Sequence, residues 1–157
     1  MPPVIHQILL FTHLTGVIVW VGGMFFAHQC LRPVVLAQLE GPQRLRLWNG
    51  VFGRFFPWVW LCVVLLLASG HGLIQVFGGF KAVPLHVHVM TGIGYLMAVI
   101  FAFIYVVPFA RLRHAVAAED WKTGAAAQDL IRRLVGTNLV LGLANVALVF
   151  VLPAASI

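Results

Sequence analysis

Five histidines stand inside or beside long apolar runs, where a lipid-facing helix has no use for an imidazole: His6, His13, His71, His86 and His88. A polar group buried in a bilayer is costly unless it is paired or coordinated, so such residues usually mark function. Several neutral imidazoles at one depth, competing for few partners, invite a metal ion. His13, Gly16, Trp20 and Gly23 recur at spacings of three, four and three, which puts them on one helix face. His6 extends that face two turns further out, and the glycines on it admit another helix or a flat ligand at close range. His88, Gly92, Tyr95 and Val99 make a comparable stripe. His86 lies about 200° around the helix from His88, so only one of the two points inward. His88, which shares its face with Gly92, is the expected one.

The chemistry these residues point to is haem ligation. Two histidines that meet at one iron need helix backbones roughly 13 Å apart, with metal–nitrogen bonds of about 2 Å. Neighbouring helices pack about 8–10 Å apart, too close for this, whereas the first and third helices of an up-down bundle are diagonal. His13 and His88 are therefore the expected axial ligands, with His71 as the second choice of partner for His13. Trp20, Gly16, Gly23, Gly92 and Tyr95 would line the ring. An iron with both axial positions filled has no open site, so its natural chemistry is one-electron transfer. Expected partners are membrane lipid and either quinone or a small redox partner outside. An oxidoreductase activity would follow from that chemistry. Glycine-lined faces also permit homo-oligomers.

The elements that position these residues are membrane helices. The chain has 157 residues, 62% of them hydrophobic and 9% charged, with a mean hydropathy of +1.01. Too few charges remain to cover a soluble core, so the sequence predicts an all-α integral membrane protein in one domain. Four runs reach the roughly 20 residues a spanning helix needs: 4–31, 55–77, 84–110 and 134–152. Each is longer than a transmembrane strand and lacks strict alternation. The first run has no basic segment before it and exceeds a signal-peptide core, so it is expected to be retained.

Basic residues set the orientation. Arg32, Arg44, Arg46 and Arg54 flank the first connection, and Arg111, Arg113, Lys122, Arg132 and Arg133 flank the third. Lys81 alone sits on the opposite side. The positive-inside rule then predicts an up-down-up-down bundle with both termini external, periplasmic in a bacterial inner membrane. The net charge of +6 thus reports topology rather than nucleic acid. The five histidines fall in the external half, while His28 and His114 lie toward the basic side.

Other polar and soft residues are expected to be structural. Asn138, Gly142 and Asn145 share a face, and the asparagines read as interhelical glue. Cys30 and Cys62 form no CxxC and read as small fillers. Trp48, Trp58, Trp60 and Trp121 suit an interfacial belt, Arg54 snorkels to headgroups, and Gln75 sits one turn after His71. Residues 115–133, alanine-rich with charges of both signs, read as an interfacial helix or helix extension.

"HLTGVIVWVGGMFFAHQCLRP", "RLRLWNGVFGRFFPWVW", "PLHVHVMTGIG" and "IRRLVGTNLVLGL" together resemble the small four-helix CopD-like membrane proteins. The resemblance covers nearly the whole chain, with W-x-G-G as its most specific mark, and implies an association with copper. The first helix is also similar to the HemJ-type protoporphyrinogen oxidases, whose helix-one histidine, tryptophan and glycine match His13, Trp20 and Gly23. That resemblance implies haem b. Where that family has H-x-K in its third helix, this chain has His86-Val87-His88, which favours bis-histidine ligation over porphyrinogen oxidation. The leading expectation is a haem b electron-transfer protein. Copper transport or homeostasis and a HemJ-like oxidase are the alternatives. External histidines suit Cu(II), whereas Met90 and Met97 make no dense thioether array for Cu(I).

Overall fold

The computed structural model describes residues 3–154 and contains four long helices, with no strand among those residues. We label them α1 (Pro3–Gln38), α2 (Gly41–Val76), α3 (Leu85–Ala117) and α4 (Trp121–Ala154). All four are long and apolar enough to cross a membrane, so the chain is a multi-pass membrane protein. A helix of 36 residues, the length of α1 and of α2, measures about 54 Å against a hydrocarbon core of about 30 Å. The helices therefore overhang the apolar layer. Residues 115–133, expected as an interfacial helix or a helix extension, divide at a turn over residues 118–120 and are extensions of the two helices on either side. Their second part simply continues into α4. Hydropathy sees only the stretch that lipid covers, while the polar overhang is held by packing between helices.

Local chemistry sets the helix ends and bends. Glu40 caps α2 in a reciprocal box with Gln43, and Pro42 follows in the first turn, where its missing N–H is no loss. Two wide π-helical turns, Phe26–Leu31 in α1 and Tyr105–Phe109 in α3, lie at Pro33 and Pro108. Each proline removes one backbone donor and crowds the carbonyl four residues back, which a widened turn relieves. The short loop after α2 turns at Gly78 and Gly79, with φ of +99° and +87°. Side chains other than hydrogen are strained there. Glu119 also takes a positive φ in the turn between α3 and α4, where Arg46 holds its carboxylate at 2.7 Å.

Sequential helices lie side by side, α1 packs against α4, and α2 also reaches α4 across the bundle. As expected, α1 and α3 are diagonal; Trp20 and Phe101 bridge them with rings 6.1 Å apart. An aromatic column runs along α2: Trp48 stacks on Phe52 at 5.2 Å, and Phe52 stacks on Phe56 at 5.0 Å. Phe109 and Phe101 of α3 meet Phe56 edge-on at 4.9 and 5.4 Å. These rings fill the middle of the bundle and the half toward the basic loops. We call that the basic end, and the opposite one, which carries the first turn of α1, the last turn of α4 and residues 77–84, the terminal end.

Candidate metal site

Three histidines of the terminal half are fixed in one tautomer. His71 places Nδ1 2.8 Å from the Leu67 carbonyl, and His88 places Nδ1 3.2 Å from the Pro84 carbonyl, each four residues back on its own chain. A carbonyl oxygen only accepts, so both Nδ1 atoms carry the proton. His13 reaches the same state by a different route. Ser69 donates its hydroxyl to the Leu65 carbonyl at 2.5 Å, so its oxygen accepts from Nδ1–H of His13 at 3.1 Å. In the neutral ring Nε2 is then left as a lone pair, the form in which imidazole binds metals.

The structure divides these rings into two groups. His13 lies in the seam between α1 and α2, where a Cβ on Gly70 would come 3.2 Å from its ring. On the other flank of α2, the Tyr95 hydroxyl donates to Nε2 of His71 at 2.9 Å, tying α3 to α2. Phe80 of the loop stands next to His71, with ring centroids 5.9 Å apart, and next to His88 at 5.8 Å. Tyr95, His71, Phe80 and His88 are thus successive neighbours in one group contributed by α2, α3 and the loop between them. Ser69 and His71 are two residues apart, about 200° around the helix. The body of α2 therefore separates His13 from this group.

This arrangement corrects the expected inward stripe of α3. His88, Gly92, Tyr95 and Val99 are all exposed, and the packed face of α3 is that of Met97, Phe101 and Ile104. His88, Gly92, Tyr95 and Val99 do share one helix face, but the side chains of the other helices decide which face of α3 is packed. On α1 the glycines admit side chains of α2 rather than a ligand: Leu66 fills the space over Gly16 and Phe55 that over Gly23. Trp20 is buried against Phe101, as its place on that face requires.

A haem between His13 and His88 does not fit these residues. The first ring is directed at Ser69, the second lies on an exposed face beside Phe80, and Trp20, Met97 and Phe101 occupy the core between α1 and α3. The second choice, His13 with His71, meets a different obstacle, because the two rings flank α2 on different sides. Among the described residues no group of three or more His, Cys, Asp or Glu side chains converges.

The remaining residues fall into place individually. His6 packs edge-on against Phe77 at 5.7 Å, and His28 lies against Gly136 of α4. His86 is half-buried, Gln75 is exposed, and His114 is exposed beside Arg111 and Asp120. Cys62 is buried and Cys30 exposed, both as free thiols. The asparagines act as interhelical glue: Asn138 donates to the Met97 carbonyl at 3.1 Å and Asn145 to that of Met90 at 3.2 Å. Ser69 and Phe80 escaped the sequence reading. Ser69 is a small residue in an apolar run, and the only signal for Phe80 is its place after Gly78-Gly79 in a tight loop.

No curated protein and no solved structure matches the chain. A family model does, that of copper resistance protein D, over residues 49–152. The matched stretch contains His71, Phe80, His88 and Tyr95, and leaves His13 outside. It covers more than half of the sequence, and the chain belongs to the copper resistance protein D family.

Proposed function

We propose that this membrane protein binds copper ions at its terminal end and passes them on, with His71 and His88 as the ligands. One observation carries the reading: both imidazoles hold Nδ1–H on a backbone carbonyl, which leaves Nε2 of the neutral ring as a lone pair, and both stand next to one aromatic ring, Phe80. Imidazole nitrogen suits copper, and the carbonyl behind each ring orients it and raises its basicity. Membership of the copper resistance protein D family supports the same cargo. An ion held by both rings takes the place of Phe80, whose ring is 41% exposed on a glycine turn. Two imidazoles make a site of low coordination number, which suits hand-on better than storage.

The basic residues support the cytoplasmic side for the basic end by the positive-inside rule. The copper ligands then face outward, into the periplasm for a bacterial inner membrane. The test is copper titration of the detergent-purified protein against a chromophoric chelator, with a visible spectrum of the same sample. Wild type is expected to bind copper, His71→Ala and His88→Ala each to lose it, and His13→Ala to keep it. Copper binding unchanged in both single variants would overturn the site. A Soret band lost on His13→Ala would overturn the reading in favour of haem.

A further inference from the structure

At the basic end a cleft of about 300 Å³ opens between the end of α1, the start of α2 and the first turns of α4. Arg32, Arg44 and Arg132 line it, together with Asp129, Gln128 and Trp48. The three arginines are not equivalent. Arg132 holds Asp129 with its Nε at 3.0 Å, and Arg133 reaches the second oxygen of the same carboxylate at 2.6 Å. That carboxylate is fully engaged. Arg32 and Arg44 are half-buried and have no carboxylate or hydrogen-bond partner among the described residues. Taking a guanidinium partly out of water without a counter-charge is unfavourable, and its planar fork of donors fits the oxygens of a phosphate. In the same region the side-chain oxygen of Gln128 is buried without a donor.

The level of the cleft says which phosphate. Arg32 follows directly on the apolar run of α1, and beyond it Val34 and Leu36 still turn outward, 49% and 45% exposed. Leu36 itself lines the cleft, as does Trp121, so apolar and aromatic side chains border the guanidiniums. That mixture belongs to the boundary between acyl chains and headgroups, where tryptophan is enriched and basic pockets between helices hold anionic heads.

We propose that this cleft is a binding site for an anionic phospholipid of the phosphatidylglycerol class. The phosphate diester lies between Arg32 and Arg44, a headgroup hydroxyl donates to the Gln128 oxygen, and the acyl chains run along Leu36. The site is independent of the copper ligands, which lie at the opposite end of the helices.

Native mass spectrometry of the full-length protein in detergent tests it, with phosphatidylglycerol, phosphatidylcholine or inorganic phosphate added. Wild type is expected to retain one phosphatidylglycerol in preference to phosphatidylcholine, with no displacement by millimolar inorganic phosphate. Arg32→Gln with Arg44→Gln should weaken that binding on the order of tenfold to a hundredfold, because two charge-assisted contacts are lost. Arg113→Gln, an exposed arginine of α3 outside the cleft, should leave it unchanged. A measurement on wild type alone guards against a variant that fails to fold: phosphatidylglycerol should raise the thermal midpoint and phosphatidylcholine should not. Equal retention of the two lipids, or displacement by free phosphate, overturns the proposal. So does unchanged binding in the double variant.

Discussion

Tyr95 donates its phenolic hydroxyl to Nε2 of His71 across 2.9 Å, and this bond joins α3 to α2 where the two helices otherwise approach each other sparsely. It also occupies the lone pair that a metal ion would use. Copper binding at His71 must therefore displace a hydrogen bond that is already made.

Removing that bond should help the ion. Tyr95→Phe keeps the ring beside His71 and deletes the competing donor, so copper affinity should rise by about threefold to tenfold, the worth of one neutral hydrogen bond. Competition against a chromophoric chelator measures it. A fall in affinity would mean that the phenol oxygen is itself a ligand.

The seam between α1 and α2 is set by side chains that occupy the space over glycine. A Cβ on Gly23 would lie 2.2 Å from the end of the Phe55 ring, so the ring must move. Gly23→Ala should lower stability by about 1–3 kcal/mol, the range for overpacking. Adding Phe55→Leu, which shortens the intruding side chain, should recover at least half of the loss. Thermal unfolding in detergent gives the comparison, and additive losses in the double variant would show that the two residues do not meet.

Asp120 begins α4 by accepting from the Thr123 backbone N–H at 3.1 Å. Hydrogen bonds from Thr123, side chain first and then backbone, hold its carboxyl below the ordinary value of 3.8. The stabilisation is therefore complete above the ordinary carboxylate range and is lost as pH falls through the lowered folded value. Asp120→Ala should melt below wild type at neutral pH, and the two melting curves should converge as the medium is acidified below pH 3.8. A gap independent of pH would assign the effect to helix propensity instead.

Much of the architecture was legible because a bilayer restricts the choices. Backbone groups in lipid must be satisfied within the segment, so four long apolar runs imply four helices, and alternating directions put α1 diagonal to α3. The polar faces were partly legible. Asn138 and Asn145, spaced to share a face of α4, do meet the carbonyls of Met97 and Met90. Buried Trp20 on the glycine face of α1 likewise follows from its spacing.

The partner of each histidine was not legible. A helical stripe states which residues share a face but not which neighbour that face meets, and rotation about the helix axis is set by the fit of side chains from other helices. Met97 and Phe101 bury one side of α3, so His88 and Tyr95 are left on another. Ser69 captures His13 on one flank of α2 while Tyr95 captures His71 on a different one. Sequence alone thus determined the membrane helices, their alternation and the depth of the histidines, since these depend on hydropathy and length. Tertiary structure alone decided which imidazoles are neighbours, because that depends on the rotation of each helix in the packed bundle.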